Sequence, residues 1–378
     1  MIYGRVAIAC AALVSIDGHA ATAPDTEPRE ATQRDEQSLM AMRDESLNSN
    51  DTTLDDFIPR PEANPLLDTP PVPVLDKAAY DQKLMDLIDR PVEPPQGAPP
   101  RATRKPLYPV SAPYPNAGAL LPFHRIVAYY GNFYSKHMGV LGEYPPDVVL
   151  EKLKTEVARW NAADPKTPVI PATDYIAVVA QAAPGFDGKY RARMSGSQIE
   201  KAIALARQVG GVTFLEVQVG GSNVAAEVPL LEKYLSMPDV ELALDPEFDM
   251  PEGAAPGTVI GSMSADDINF AANYLSKLVK QKNLPPKILV VHRFTRRMVS
   301  NYKQIAPLAE VQIVIDMDGW GFPAKKLNTY NSIVCPEPVQ FTGFKLFYKN
   351  DLKPPSTSML TPDQLLKLNP KPVFIQYQ

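Results

Sequence analysis

Cysteine is nearly absent: Cys10 and Cys335 are the only two in 378 residues, too few for a disulfide framework. Histidine is limited to four. Beyond the leading segment these are His124, His137 and His292, with no H-x-H pair, so a zinc centre of the amidohydrolase kind is disfavoured. An excess of positive charge is also missing. The net charge is −5, whereas a general nucleic-acid binder shows a basic face, and no nucleic-acid partner is expected. No apolar run reaches the ~18 residues of a membrane-spanning helix, so no transmembrane segment is expected. There is no G-x-S-x-G elbow for a serine hydrolase. No Gly-rich phosphate loop follows the first strand-like run, where Tyr130-Gly131-Asn132 stands instead. The reading calls for no cofactor and no resident metal.

Proline, by contrast, is abundant. There are 40, eighteen of them before position 123, against a background of roughly 5%. The chain opens with a short basic start, an apolar stretch Val6 to Ile16 and the small-x-small triplet Ala21-Thr22-Ala23, the order of a secretory signal over residues 1–23. Cys10 lies inside that stretch and would leave with it. Residues 24–118 hold 17 acidic and 10 basic residues, a net −7, with proline clusters at Pro70-Pro71, Pro94-Pro95 and Pro99-Pro100. Such a segment reads as an extended tether, largely disordered and able to contact the cell envelope. Within it, Tyr80, Leu84, Leu87 and Ile88 recur at helical spacing, which predicts a short docked helix over 77–90. The protein is expected to be exported: periplasmic, cell-surface or secreted.

From Leu121 the texture changes. Eight strand-like runs appear: Arg125–Tyr130, Val169–Tyr175, Val212–Val219, Val240–Asp245, Ile288–Phe294, Val311–Asp318, Gly343–Tyr348 and Val373–Tyr377. Helical patterns separate them at Asp147–Trp160, Ser197–Gln208, Ala225–Leu235, Asp266–Gln281, Thr295–Ile305, Ala324–Asn331 and Pro362–Leu368. Strands alternating with helices imply parallel pairing, and eight repeats over residues 119–378 match an α/β fold of the (β/α)8 TIM type in count and length. The chain ends on the eighth strand, so the eighth helix is missing, a gap the 77–90 helix could cover.

Strand parity carries the functional signal, because residues of one parity face the barrel interior. On the fourth run Val240, Leu242 and Leu244 face outward, while Ala243, Asp245 and Glu247 face inward. The third run places Glu216 and Gln218 inward, the sixth Asp316 and Asp318. Asp174 ends the second run, His292 the fifth, Lys345 and Tyr348 the seventh, and Gln376 or Tyr377 the eighth. Catalytic groups of such barrels sit at the C-terminal strand ends. Glu247, Asp245, Glu216, Asp316 and Asp318 are therefore the candidate catalytic residues. Tyr130, Asp174, His292, Trp320, Lys345, Tyr348 and Gln376 are the candidate substrate-binding residues. Tyr129, Tyr134, Phe248 and Phe322 lie near the same ends and suit stacking on sugar rings.

The block Leu244-Asp245-Pro246-Glu247 resembles the D-x-E strand motif of muramidase-type and chitinase-type barrels. It departs from retaining enzymes with glutamates on strands four and seven, since Phe344 to Tyr348 offers no acid. Ala128-Tyr129-Tyr130-Gly131, Met138 to Glu143, Ala243 to Phe248 and the closing Pro372 to Gln378 resemble an uncharacterised family of exported bacterial (β/α)8-barrel proteins, often lipoproteins, over residues 122–378. That resemblance implies a fold and an exported setting but no residue roles. The sequence favours a glycoside-hydrolase-like barrel acting on a cell-wall or extracellular polysaccharide through paired carboxylates. A non-catalytic glycan-binding surface protein and a metal-dependent hydrolase, with Asp174, Asp245, His292 and Asp316 as possible cation ligands, remain as alternatives.

Overall fold

A computed structural model of the protein describes residues 74–88 and 107–378. The signal expected over 1–23 and most of the tether lie outside the described residues. The core is a closed barrel of eight parallel strands: β1 Arg125–Gly131, β2 Val169–Ala180, β3 Val212–Val217, β4 Val240–Leu244, β5 Lys287–Arg293, β6 Val311–Met317, β7 Phe341–Leu346 and β8 Phe374–Tyr377. Each pairs with the next, and β1 closes the ring by pairing with both β2 and β8. The fold is a (β/α)8 TIM-type barrel. Every strand of the barrel is buried almost end to end, as parallel strands under a helix layer must be.

The alternating parity holds. Leu215, Val217, Leu242, Leu244, Ile313 and Ile315 pack outward against the helices in one large apolar cluster. Ile126, Ala128, Ala172, Phe214, Ala243, Val290, Val314 and Phe374 fill the lower interior. The helices are amphipathic to match. In α4 (Ala265–Lys282), Ile268, Ala271, Ala272, Leu275, Leu278 and Val279 fall at three- and four-residue spacing and are all buried. Ser264 and Asp267 form a capping box at its start, and Asn283 ends it in the left-handed conformation at φ 51°. Helices α2 (Pro146–Ala163) and α3 (Gly196–Arg207) also occupy the predicted places.

Two expected helices are not continuous. The stretch 225–235 breaks into Val224–Glu227, a 3-10 turn Val228–Leu231 and Glu232–Leu235, because Pro229 has no amide hydrogen to continue the ladder. The stretch 295–305 is not one continuous helix and holds only two 3-10 turns, Arg296–Met298 and Tyr302–Gln304. Val299–Ser300 instead pairs with Met263–Ser264 as a two-stranded ribbon, and Asn301 turns the chain at φ 55°. Its apolar residues Met298, Val299 and Ile305 are buried individually rather than as one helical face. Helix α5 (Pro323–Thr329) runs directly into a π-helical turn Tyr330–Val334 and so covers the expected 324–331, whereas α6 (Pro362–Leu365) is shorter than the expected 362–368.

The short helix predicted around 77–90 exists as α1 (Lys77–Asp86), capped by Asp76. It does not stand in for the eighth helix. Tyr80, Leu84 and Leu87 join the lower interior cluster with Leu121 and Ile126, and Lys371 N–H donates to the Leu87 carbonyl at 2.7 Å. α1 therefore lies across the N-terminal end of the barrel. Residues 107–118 also pack on the barrel body: Tyr108 is buried and Asn116 N–H bonds the Ala309 carbonyl at 2.8 Å.

Candidate functional site

Above the apolar lower interior, the next inward position on every strand is polar. In order round the barrel these are Tyr130, Asp174, Glu216, Asp245, His292, Asp316, Lys345 and Gln376, and none is solvent-exposed (0% in each case). Asp245 follows the last residue of β4 directly. Gln218, Glu247 and Asp318 continue the same parity one step higher and are nearly as deeply buried, at 2–3%. The ring has room for these groups partly because β7 contributes a glycine. A Cβ on Gly343 would stand 2.4 Å from Asp316 Oδ1.

His292 is the centre of the network. Its Nε2 lies 3.0 Å from Glu216 Oε2 and its Nδ1 lies 3.1 Å from Asp316 Oδ2, with Asp318 Oδ2 at 3.7 Å. Glu216 Oε1 accepts from the Tyr130 hydroxyl and from Gln218 Nε2, both at 3.0 Å. Gln218 is itself anchored, its Oε1 accepting from Ala180 N–H at 3.0 Å. Lys345 Nζ sits 3.2 Å from both oxygens of Asp318 and 3.9 Å above the Tyr130 ring centroid. Gln376 Nε2 donates to Asp174 Oδ2 at 2.6 Å.

These contacts separate the carboxyls electrostatically. Burial pushes Glu216 up, but His292, Lys345 and the Tyr130 hydroxyl outweigh it and hold the group below its ordinary value. Burial would lower His292, yet Glu216 and Asp316 raise it well above the usual histidine range. Asp174 is driven well above its ordinary value by burial and by Glu216. Glu247 is driven up in the same way, by burial and by Asp245 and Asp318. Asp245 is pushed up to about 7 by burial and by Glu216. The ring therefore pushes its carboxyls in opposite directions, Glu216 below its ordinary value and Glu247 and Asp174 above theirs.

Asp245 has two tasks. Its Oδ1 accepts from Glu247 N–H at 3.0 Å, capping the Pro246–Phe248 turn, while its Oδ2 lies 3.5 Å from Gln218 Nε2. Glu247, carried on the Pro246–Phe248 turn rather than on the strand, is buried near Asp245 and Asp318, and its Oε1 has no hydrogen-bond partner.

A small aromatic group closes over the ring. Ala180, Phe248 and Phe347 form a separate buried cluster with Trp320 packed against them. Ala180 ends β2, while Phe248, Phe347 and Trp320 follow β4, β7 and β6. Because β2 and β6 stand opposite one another in an eight-stranded barrel, this group spans the mouth. Its loops are braced by a buried pair: Lys326 Nζ bonds Asp351 Oδ2 and the Lys345 carbonyl, each at 2.7 Å, while Asp351 accepts from Gly321 and Phe347 amides.

One candidate residue lies elsewhere. Tyr348 is on the outer face, its hydroxyl 3.0 Å from the Tyr129 hydroxyl and donating to Glu156 Oε1 at 3.0 Å, its ring stacked on Tyr377 at 5.3 Å. It does not join Lys345. The two are three residues apart and therefore of opposite parity, so alternation along the strand excludes a shared face. Tyr129 and Tyr377 share that outer cluster. Tyr134 and Phe322 are partly exposed and do not belong to the cluster that closes the mouth. Three contributors escaped sequence reasoning. Gln218 was legible as inward but not as a hub, and Lys326, within the expected helix 324–331, was not singled out. Gly343 carried no signal until Asp316 was placed opposite it.

No family model matches the chain, and no curated protein matches it. Among solved structures it is similar to the YdhT protein from Bacillus subtilis, at 12% identity and a TM-score of 0.36, covering 68% of this chain and 80% of that one. It is also similar to the mannanase man26 from Bacillus subtilis (13%, TM-score 0.34, 67% and 79%). A third is a GH18 chitinase from Pseudoalteromonas aurantia (14%, TM-score 0.26, 66% and 78%). Likeness at this level transfers no residue role.

Proposed function

We propose that the protein is an exported glycoside hydrolase acting on a cell-wall or extracellular polysaccharide, with Glu247 as proton donor and Asp245 as its partner carboxylate. The observation that supports this most is the pairing of two inward carboxyls on one short segment. Glu247 is raised well above its ordinary value by burial and by Asp245, and burial and Glu216 push Asp245 up to about 7. A pair tuned apart in this way supplies an acid for the departing sugar oxygen and a group ready to take up a proton. Glycosidic cleavage requires that division of labour. Glu216, held ionised by His292 and Lys345, adds a fixed negative charge favouring an oxocarbenium-like transition state. The exported setting rests on residues 1–23.

For a sugar to reach these carboxyls, Phe248, Phe347 and Trp320 must swing aside. The closure of the mouth by those aromatics favours a second reading, a glycan-binding barrel that holds sugar at its rim without turnover. Incubation of the full chain with cell-wall and extracellular polysaccharides separates the two. Release of reducing ends, cut at least ~10²-fold by Glu247→Gln, the lower range for losing a general acid, supports hydrolysis. Retention on a polysaccharide column with no reducing ends released, unchanged by Glu247→Gln, supports binding alone.

A further inference from the structure

Three residues of the ring form a second constellation beside Glu247 and Asp245; of these only Glu216 enters the proposed hydrolysis, as a fixed charge, and Asp174 and His292 have no part in it. One carboxylate oxygen of Asp174, one of Glu216 and one ring nitrogen of His292 all lie within 4.8 Å of one another, and all three residues are fully buried. Among the described residues this is the one such group of metal-competent side chains. An acidic cluster alone would say little. The outer contacts say more.

Each of the three has one polar atom fastened from outside. Gln376 Nε2 holds Asp174 Oδ2 at 2.6 Å, while Asp174 Oδ1 is buried without any hydrogen-bond partner. Tyr130 and Gln218 hold Glu216 Oε1, leaving Oε2 to face His292 Nε2 at 3.0 Å. Asp316 Oδ2 stands 3.1 Å behind His292 Nδ1. A carboxylate behind a histidine, and amide or phenol donors behind carboxylates, are how proteins orient metal ligands and fix the histidine tautomer. The orphaned Asp174 oxygen and two crowded carboxylates are also what a cation would satisfy.

We propose that Asp174, Glu216 and His292 bind a divalent cation inside the barrel, with Asp316, Gln376, Tyr130 and Gln218 as the outer partners. Two carboxylate oxygens and one imidazole nitrogen suit a borderline ion such as zinc or manganese better than calcium, which prefers six to eight oxygens. Binding takes His292 through Nε2. Ligation through Nε2 leaves the ring proton on Nδ1, facing Asp316 Oδ2 at 3.1 Å.

The test reads binding rather than turnover, so it is independent of whether the chain hydrolyses glycans. The full chain, stripped with chelator and dialysed, is titrated with zinc or manganese chloride by calorimetry, and with cobalt chloride followed by visible absorption. One equivalent bound, with a raised Tm and a cobalt absorption stronger than that of the aqueous ion, is expected. Asp174→Asn and His292→Gln should abolish it. Gln376→Ala keeps all three ligands and should weaken affinity ~10–100-fold, as loss of an outer partner does, which covers the case in which a ligand variant fails to fold. A folded wild-type chain that binds no metal at millimolar concentration overturns the proposal. So does binding that survives both Asp174→Asn and His292→Gln, which would mark a surface site.

Discussion

The lower and upper halves of the barrel interior are built by the same strands at the same parity, yet they are held together by different forces. Below, Ile126, Ala172, Phe214, Val290 and Phe374 fill space with apolar volume, and α1 covers the end with Tyr80 and Leu87. Above, eight polar side chains occupy the next inward positions and are held by one another through bonds such as His292 to Glu216 and Gln376 to Asp174. The lower half gains stability from burial of apolar area. The upper half concentrates like charge in a dry site, which stabilises a fold poorly but separates carboxyl pKa values. Stability and chemistry are therefore divided along the barrel axis rather than between domains.

The largest effect that would test this division is expected at Phe214. Its ring meets that of Phe374 at 5.1 Å, edge to face, in the lower interior. Phe214→Ala should cost about 3–5 kcal/mol, the range for emptying a buried aromatic site, read as a lowered denaturant midpoint with the same slope. A cost below 1 kcal/mol would show that the lower half is not the stabilising one.

Gly343→Ala acts at the boundary between the halves. The added methyl meets Asp316 Oδ1 and the Phe374 backbone, so overpacking of about 1–3 kcal/mol is expected. The displaced Asp316 should also change the His292 Nδ1 resonance in a nitrogen-detected NMR spectrum. Lost stability with an unmoved resonance would show that the ring tolerates the intrusion.

The smallest effect concerns pH. Asp245, Glu247, Asp174 and His292 all have folded pKa values above their ordinary ones. Groups of this kind lend stability below the unfolded pKa and lose it as pH rises through the folded value. For Asp245 the window runs from its ordinary 3.8 to about 7. Glu216, lowered, opposes them. The Tm should therefore be higher at pH 5 than at pH 8. Asp245→Asn, which keeps an acceptor for the Glu247 amide, should flatten that slope by about 1.4 kcal/mol, the equivalent of one pH unit, because its neighbours retitrate. An unchanged slope would place the titration elsewhere.

Much of this was legible in the chain. Val240 to Leu244 alternates cleanly, so Asp245 and Glu247 could be put inside before any coordinate was known. The same rule, applied across Lys345 and Tyr348, shows why they part. Periodicity failed at 295–305, where Met298, Val299 and Ile305 have helical spacing but a short ribbon with Met263–Ser264 takes the segment instead. That pairing joins residues 36 apart, and nothing local announces it.

Count, order and inward face were determined by the sequence alone, since strand alternation and helix caps are properties of consecutive residues. Which atoms meet was decided only by closure. Glu216 on β3 and His292 on β5 do not pair as strands, yet their side chains touch because alternate strands supply one layer of a closed barrel. The same closure brings Ala180, Phe248, Phe347 and Trp320 together across the mouth. It also leaves Asp174 Oδ1 without a partner, because tilt and stagger set the height at which each strand delivers its side chain.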